Sequence, residues 1–276
     1  MTTTTPTRPL TDSPLLPTRW PAQAFTVIPT LVFVLALAGA LVAGLAVQIG
    51  ILHLDPGARD TIHTGSGPIT ATILLALAAG DLPILALCLY RLPAVARRSL
   101  RDLGFAWPTF GEVGFGIAGG LVMFLAVEAA GAVQYIGGHI TPHEQAVDIA
   151  STLHGPLLIG MMAVIACVIA PLTEEFVFRG FLFNAILRVS SRIRVKKGLL
   201  FPPAPVAGPL IAAIMSALVF ALFHGSPTAF FPLACGGVVL ALVYFRSGSL
   251  TSSMISHALF NAISLTAVLL THSTGG

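Results

Sequence analysis

Charged side chains are scarce in this sequence. Lys, Arg, Asp and Glu make up 9% of its 276 residues, whereas 55% of the residues are hydrophobic. Soluble globular proteins carry about 25% charged residues, so this composition excludes an ordinary soluble domain and is typical of a protein that crosses a bilayer several times. The net charge of +3 comes without a basic patch interleaved with aromatic residues, so we expect no nucleic-acid partner.

Cysteine is also rare. Cys88, Cys167 and Cys235 are far apart, each lies in an apolar run, and no two of them form a C-x-x-C pair. A cysteine in apolar surroundings behaves as a small packing residue. We therefore expect neither a disulfide framework nor a cysteine-ligated metal site.

Long apolar runs, in contrast, are abundant. Each can supply the roughly 17–25 residues that a spanning helix needs. Seven of them lie near 25–52, 68–90, 111–136, 156–187, 206–224, 229–245 and 250–271. Backbone groups in hydrocarbon must be hydrogen-bonded within the segment, and the period of two that marks a β-barrel is missing. The sequence therefore predicts an all-α, polytopic membrane protein with about seven transmembrane helices.

The distribution of cations predicts the orientation. If the N-terminus is cytoplasmic, 12 of the 14 Lys and Arg fall in cytoplasmic segments, Arg59 lies in an outer segment and Arg179 lies within a span. Cytoplasmic loops carry an excess of Lys and Arg. We expect a multi-pass protein of the cell membrane with its N-terminus in the cytoplasm.

The chain divides into three parts. Residues 1–23 are rich in Thr and Pro and are expected to be a disordered cytoplasmic tail. Residues 24–154 hold the N-terminal transmembrane helices. Between them the segment near 92–108 mixes arginines with Leu, Phe and Trp, which indicates a short interfacial helix or, alternatively, a solvated connector. Residues 155–276 hold the remaining helices and most of the polar side chains discussed next.

Two carboxylates and a guanidinium lie inside the fourth apolar run. Glu175 and Arg179 are four residues apart, so on a helix they share a face and can form an ion pair. Glu174 is rotated from Glu175 by about 100° and can point elsewhere. Charge at this depth is costly unless it is paired or functional. We expect Arg179 to neutralise Glu175 and Glu174 to face a cavity; a buried charge cluster that only fixes helix packing is the alternative.

Two later segments add histidines. His224 ends the fifth run, where an interfacial residue is the plain interpretation. His257 and Asn261 share a face of the last run, and both can donate hydrogen bonds, as an oxyanion hole requires. Polar contacts between membrane helices are the alternative for this pair.

Together the three segments resemble a known family. They read Glu174-Glu175-x-x-x-Arg179, Phe220-x-x-x-His224 and His257-x-x-x-Asn261. These are similar to the motifs E-E-x-x-x-R, F-x-x-x-H and H-x-x-x-N (or D) of the CAAX-prenyl-protease and bacteriocin-processing (Abi) family of intramembrane proteases. The resemblance covers about residues 155–271, and the first three spans match it in character only.

The resemblance implies a catalytic core in the last four helices and an endopeptidase activity on a membrane-associated or lipidated protein or peptide. The residues it implies are Glu174 as general base for water, His224 beside it, His257 and Asn261 as oxyanion donors, and Glu175 and Arg179 as structural support of the site. No cofactor is expected. The family has also been described as metal-dependent, in which case Glu174, His224 and His257 would bind Zn²⁺.

A count of residues sets a condition on this site. From the cytoplasmic ends of their runs, Glu174 lies ~21 Å deep and His224 ~27 Å deep, but His257 only ~11 Å deep. Straight helices normal to the membrane would keep the three apart. Helix tilt, helices that project beyond the bilayer or a break near Pro171 must therefore bring them together.

Other functions remain open at this point. Asp81 and Glu128 are further acids within spans, which structural pairing would explain. In a proton-coupled transporter they would form a relay with Glu174, and function would depend on all three acids, whereas a protease should depend on Glu174 alone among them. A non-catalytic membrane scaffold of the same fold should tolerate Glu174→Gln.

Overall fold

The computed structural model describes residues 33–39, 42, 49, 71–96, 99–143, 145–151, 153, 155–190 and 204–273. The expected tail 1–23, most of the first apolar run and part of the basic loop after residue 190 lie outside these residues. Across the described ranges every regular element is a helix, which confirms the all-α prediction.

A helical stretch at 33–39 precedes seven further described helices. They are α1 (Ala71–Ala96), α2 (Phe110–Gly138), α3 (Gln145–Ser151), α4 (Pro156–Ser190), α5 (Ala204–Phe223), α6 (Phe230–Ser247) and α7 (Leu250–Ser273). Helix α4 contains two π-helical stretches, Ile165–Ile169 and Phe176–Phe183. Such stretches are rare in proteins and are frequent at functional sites. In α4 they flank the segment Ala170–Glu175, which carries both glutamates.

Five described helices are long and apolar enough to cross a membrane. They are Leu77–Ala94, Phe110–Gly138, Pro156–Ser190, Phe230–Ser247 and Leu250–Thr271, and Gly208–Phe223 is a shorter apolar helix. The chain is thus a multi-pass membrane protein. The number of seven spans stays a prediction, because most of the first run lies outside the described residues.

The segment between α1 and α2 differs from the short helix considered above. Helix α1 continues to Ala96, and a turn at 99–104 follows it, with hydrogen bonds from the Ser99 N–H and hydroxyl to the Asp102 carboxylate. Trp107 and Phe110 are almost fully exposed. Aromatic rings of this kind suit a membrane interface, so an interfacial position stays a prediction for this segment.

Small residues let α2 and α7 approach closely. The Ser256 hydroxyl donates to the Gly116 carbonyl at 2.7 Å, and a Cβ added at Gly119 would lie 2.5 Å from Ser256 Oγ. Small residues at a helix contact are typical of membrane proteins, where close packing drives association. This contact fixes the rotation of α7 and hence the direction of the polar side chains that follow Ser256.

The beginning of α7 is buried beneath the turn that follows α1. Gly104 has φ +86°, and its carbonyl accepts a hydrogen bond of 2.9 Å from the Leu250 N–H. A Cβ at Gly104 would lie 2.4 Å from the Gly248 carbonyl oxygen, so glycine is required there. Leu250 itself is fully buried.

Candidate active site

A buried ion pair anchors the site on α4. Arg179 Nη1 lies 2.8 Å from Glu175 Oε1, and both side chains are fully buried. Arg179 Nη2 also donates to the Gly237 carbonyl of α6 at 3.0 Å. The second carboxylate oxygen of Glu175 accepts from the Ser253 hydroxyl of α7 at 2.5 Å. Burial of charge is tolerated when the groups are paired and hydrogen-bonded, and these bonds tie α4, α6 and α7 together.

His257 of α7 is oriented by the same carboxylate. Its Nδ1 lies 3.1 Å from Glu175 Oε1, and because a carboxylate only accepts, Nδ1 carries the proton. Its Nε2 then faces Glu174 Oε2 at 3.8 Å. Glu175 therefore fixes the tautomer and direction of the His257 ring.

Glu174 differs from its neighbour Glu175 in exposure and in hydrogen bonding. Its side chain is 23% exposed, and its Oε2 has no hydrogen-bond partner among the described residues. Adjacent residues of a helix point about 100° apart, so one glutamate is directed into the helix bundle and the other into a cavity. The pairing of Glu175 with Arg179 that the sequence spacing predicts is present, and Glu174 takes no part in it.

His224 follows directly after the last residue of α5. Its Nδ1 lies 2.9 Å from the Phe220 carbonyl, which only accepts, so Nδ1 carries the proton and Nε2 of the neutral ring keeps a lone pair. The Phe220 ring lies 4.6 Å from the His224 ring and 5.7 Å from the His257 ring between centroids. Arg179 Cζ lies 4.7 Å from the centroid of the same ring. Phe220 thus packs against the residues of all three motifs.

Asn261 is bound to the backbone of α4. Its Nδ2 donates to the Ala166 carbonyl at 2.6 Å. One amide hydrogen of Asn261 is therefore engaged in holding α7 against α4. The second hydrogen remains for a ligand.

Two cavities meet at this cluster. The first has a volume of about 220 Å³, and its lining includes Glu174, His224, His257 and Asn261. The second, of about 380 Å³, is lined mainly by apolar side chains of the 33–39 stretch, α1 and α4, together with Glu174 and His224. A water molecule occupies about 30 Å³ in the liquid, so both cavities have room for several.

The structure thus brings the six predicted site residues into one place. The depth mismatch disappears in part because the beginning of α7 at Leu250 is buried within the protein rather than at a helix end that faces solvent. Sequence reasoning missed Ser253, although it lies four residues before His257 on the same face of α7. It left Asp81 unassigned, and Asp81 lines both cavities.

The donors for a metal are of the right kind but are not gathered as a ligand set. A carboxylate and two imidazole nitrogens are the chemistry of a zinc hydrolase. Within the part of the chain that the structure describes, no three His, Cys, Asp or Glu side chains are arranged so that they could hold a metal ion. We therefore assign no step to a metal.

Comparison with known proteins gives one family match for the second half of the chain. Residues 156–263 match the family model of the type II CAAX prenyl endopeptidase Rce1-like proteins. The chain carries an Rce1-like domain. This domain extends from the beginning of α4 into α7 and contains the six predicted site residues. Neither the comparison with curated proteins nor that with solved structures gives a match.

The Rce1-like domain confirms the family resemblance read from the three motifs. It supports a CAAX-type intramembrane endopeptidase in general. The lipid bilayer and a protein substrate are the partners that such an activity requires. The individual roles of the site residues stay predictions.

Proposed function

We propose that the chain is an intramembrane endopeptidase that hydrolyses a peptide bond of a membrane-associated or lipidated protein or peptide, with Glu174 as general base. The observation that supports this most directly is the Glu174 carboxylate, whose Oε2 has no hydrogen-bond partner among the described residues and which borders a cavity beside two imidazole rings. A positioned carboxylate can take a proton from water as that water attacks a carbonyl carbon.

The neighbouring groups suit the rest of the reaction. The second Nδ2 hydrogen of Asn261 is a donor for the oxyanion that forms on the substrate carbonyl. His257 presents Nε2 to the same cavity, and a proton at that atom makes it a second donor. His224 accepts a hydrogen bond from water at Nε2 and so helps to position the nucleophile. Glu175 and Arg179 hold this arrangement without contacting the substrate.

We further propose the orientation with the N-terminus in the cytoplasm. Arg91 near the end of α1, Arg101 in the following turn and Arg246 at the end of α6 are all exposed. Hydrogen bonds from Leu250 and Thr251 to Gly104 join that turn to the α6–α7 connection, so these cations belong to one end of the bundle. An excess of cations at one end supports a cytoplasmic location for that end.

The test compares wild type with Glu174→Gln in lipid vesicles, each with and without a metal chelator, using a peptide library analysed by mass spectrometry. Cleavage by wild type that is lost in Glu174→Gln and insensitive to the chelator is the expected result. Loss with the chelator and recovery with Zn²⁺ would replace the metal-free mechanism by the zinc alternative. Equal products from the two proteins would remove Glu174 from the role of base.

A further inference from the structure

Asp81 is an acid within a span that has no role in the mechanism proposed above. It lies on α1 within the span Leu77–Ala94 and is partly buried. Three residues line both cavities, and they are Asp81, Glu174 and His224. A substrate that extends from one cavity into the other passes these three side chains.

The charge of Asp81 has no counter-ion among the described residues. Its side chain borders the same two cavities as the Glu174 carboxylate. Arg179, the cation on the same helix as Glu174, is bound by Glu175 and by the Gly237 carbonyl. An acid without a counter-ion in a site of low polarity can retain its proton and serve as a general acid.

A polar residue with a structural role in a span would be expected to form a hydrogen bond within the protein. Thr173, another polar residue within a span, donates its hydroxyl to the Ile169 carbonyl at 2.9 Å and so satisfies the backbone. The described residues give no comparable bond for Asp81. Glu128, the other unassigned acid, is exposed on α2 and lines neither cavity.

We propose that Asp81 is a second catalytic carboxyl group, which donates a proton to the leaving amine and regains it from Glu174; this rests on the proposed hydrolytic function. Glu174 removes a proton from water while the hydroxide oxygen bonds to the substrate carbonyl carbon. Asp81 then gives its proton to the amide nitrogen, and the C–N bond breaks to release an amine and a carboxylic acid. Transfer of the proton from Glu174 to Asp81, directly or through water, restores the starting state.

This role changes which acid distinguishes a protease from a proton-coupled transporter. Asp81 would now matter in a protease as well as in a proton relay, so Glu128 becomes the acid that separates the two. A relay requires Glu128, whereas the protease does not. Glu128→Gln is therefore the matched control for Asp81→Asn, since both replace an acid within a span by its amide.

The deciding experiment uses two substrates that have the same sequence on the acyl side of the scissile bond. A peptide that wild type cleaves is compared with its analogue in which a nitrophenyl ester replaces the scissile amide. An amine must be protonated to leave, whereas nitrophenolate leaves without a proton. General acid catalysis contributes about 10²–10⁴-fold, so Asp81→Asn should slow amide hydrolysis by about 100-fold or more and leave ester hydrolysis nearly unchanged.

Three further variants separate the role of Asp81 from that of Glu174 and from a general loss of activity. Glu174→Gln should slow both substrates, Glu128→Gln neither, and Asp81→Glu should keep a wild-type ratio of ester to amide rates. This ratio does not depend on how much of a variant is folded. An unchanged ratio in Asp81→Asn would overturn the role of Asp81 while leaving Glu174 in place. Failure of wild type to cleave any peptide would instead overturn the proposed function itself, and the role of Asp81 with it.

Discussion

Asn261 donates a hydrogen bond of 2.6 Å from its Nδ2 to the carbonyl of Ala166 on the neighbouring helix α4. That carbonyl lies in the π-helical stretch Ile165–Ile169, where the Ala170 N–H bonds five residues back to Ile165. The next donor in this pattern would be residue 171, which is proline and has no N–H. Asn261 thus completes the backbone hydrogen bonding of α4 at the point where Pro171 interrupts it.

Replacement of Asn261 should therefore affect stability as well as catalysis. Asn261→Ala leaves the partly buried Ala166 carbonyl without its partner, and a typical intramolecular hydrogen bond contributes about 0.5–1.5 kcal/mol. Pro171→Ala supplies an N–H in register with the same carbonyl. We expect Asn261→Ala to cost less in the Pro171→Ala background than in wild type, as measured by detergent denaturation of the four proteins of the double-mutant cycle.

Ser264→Ala is the control for this cycle. Ser264 lies on the same helix and lines the same cavity, but the described contacts include no hydrogen bond of its hydroxyl. Its removal should leave the unfolding free energy near that of wild type. Additive effects of Asn261→Ala and Pro171→Ala would contradict the account of the Ala166 carbonyl.

The α4–α7 contact marks the limit of what the sequence predicts. Spacing alone predicted the Glu175–Arg179 pair and the shared face of His257 and Asn261, because both depend on the geometry of a single helix. It could not predict the partner of Asn261, since hydropathy does not distinguish a π-helical turn from an α-helical one. The sequence also could not predict that Glu174 and His257 lie close together, because this depends on how deeply the beginning of α7 is buried.

Replacement by glutamine should lower the unfolding free energy at Glu175 but not at Glu174. Glu175→Gln leaves Arg179 as an uncompensated buried charge and weakens the bonds from Ser253 and His257, so we expect a loss of about 3–5 kcal/mol in unfolding free energy. Glu174→Gln changes a carboxylate whose Oε2 has no partner among the described residues, and its stability should match wild type. Detergent denaturation of both variants measures the difference. Equal losses would show that the two glutamates are not divided as the hydrogen bonds indicate.

Phe220 should be needed for its ring and not only for its volume. Phe220→Leu keeps an apolar side chain but removes the cation–π contact with Arg179, which is worth about 0.5–2 kcal/mol, and the ring contacts with His224 and His257. We expect a lower kcat with a smaller change in KM, because the catalytic rings lose their support while the cavities stay open. Phe231→Leu is the control, since Phe231 is half-exposed and lines neither cavity. A peptidase assay in which both variants behave like wild type would contradict this role.

The close contact between α2 and α7 should be needed for peptidase activity, because it positions His257. A Cβ at Gly119 would lie 2.5 Å from Ser256 Oγ and 2.6 Å from Val243 Cγ2, so in Gly119→Ala these side chains or the helices that carry them must shift. Overpacking of this kind costs about 1–3 kcal/mol. Because Ser256 directly precedes His257, we expect peptidase activity to fall together with stability. Gly114→Ala on the same helix meets nothing within 4 Å and should leave activity unchanged while stabilising α2 slightly. Wild-type activity in Gly119→Ala would show that His257 keeps its position independently of the α2–α7 contact.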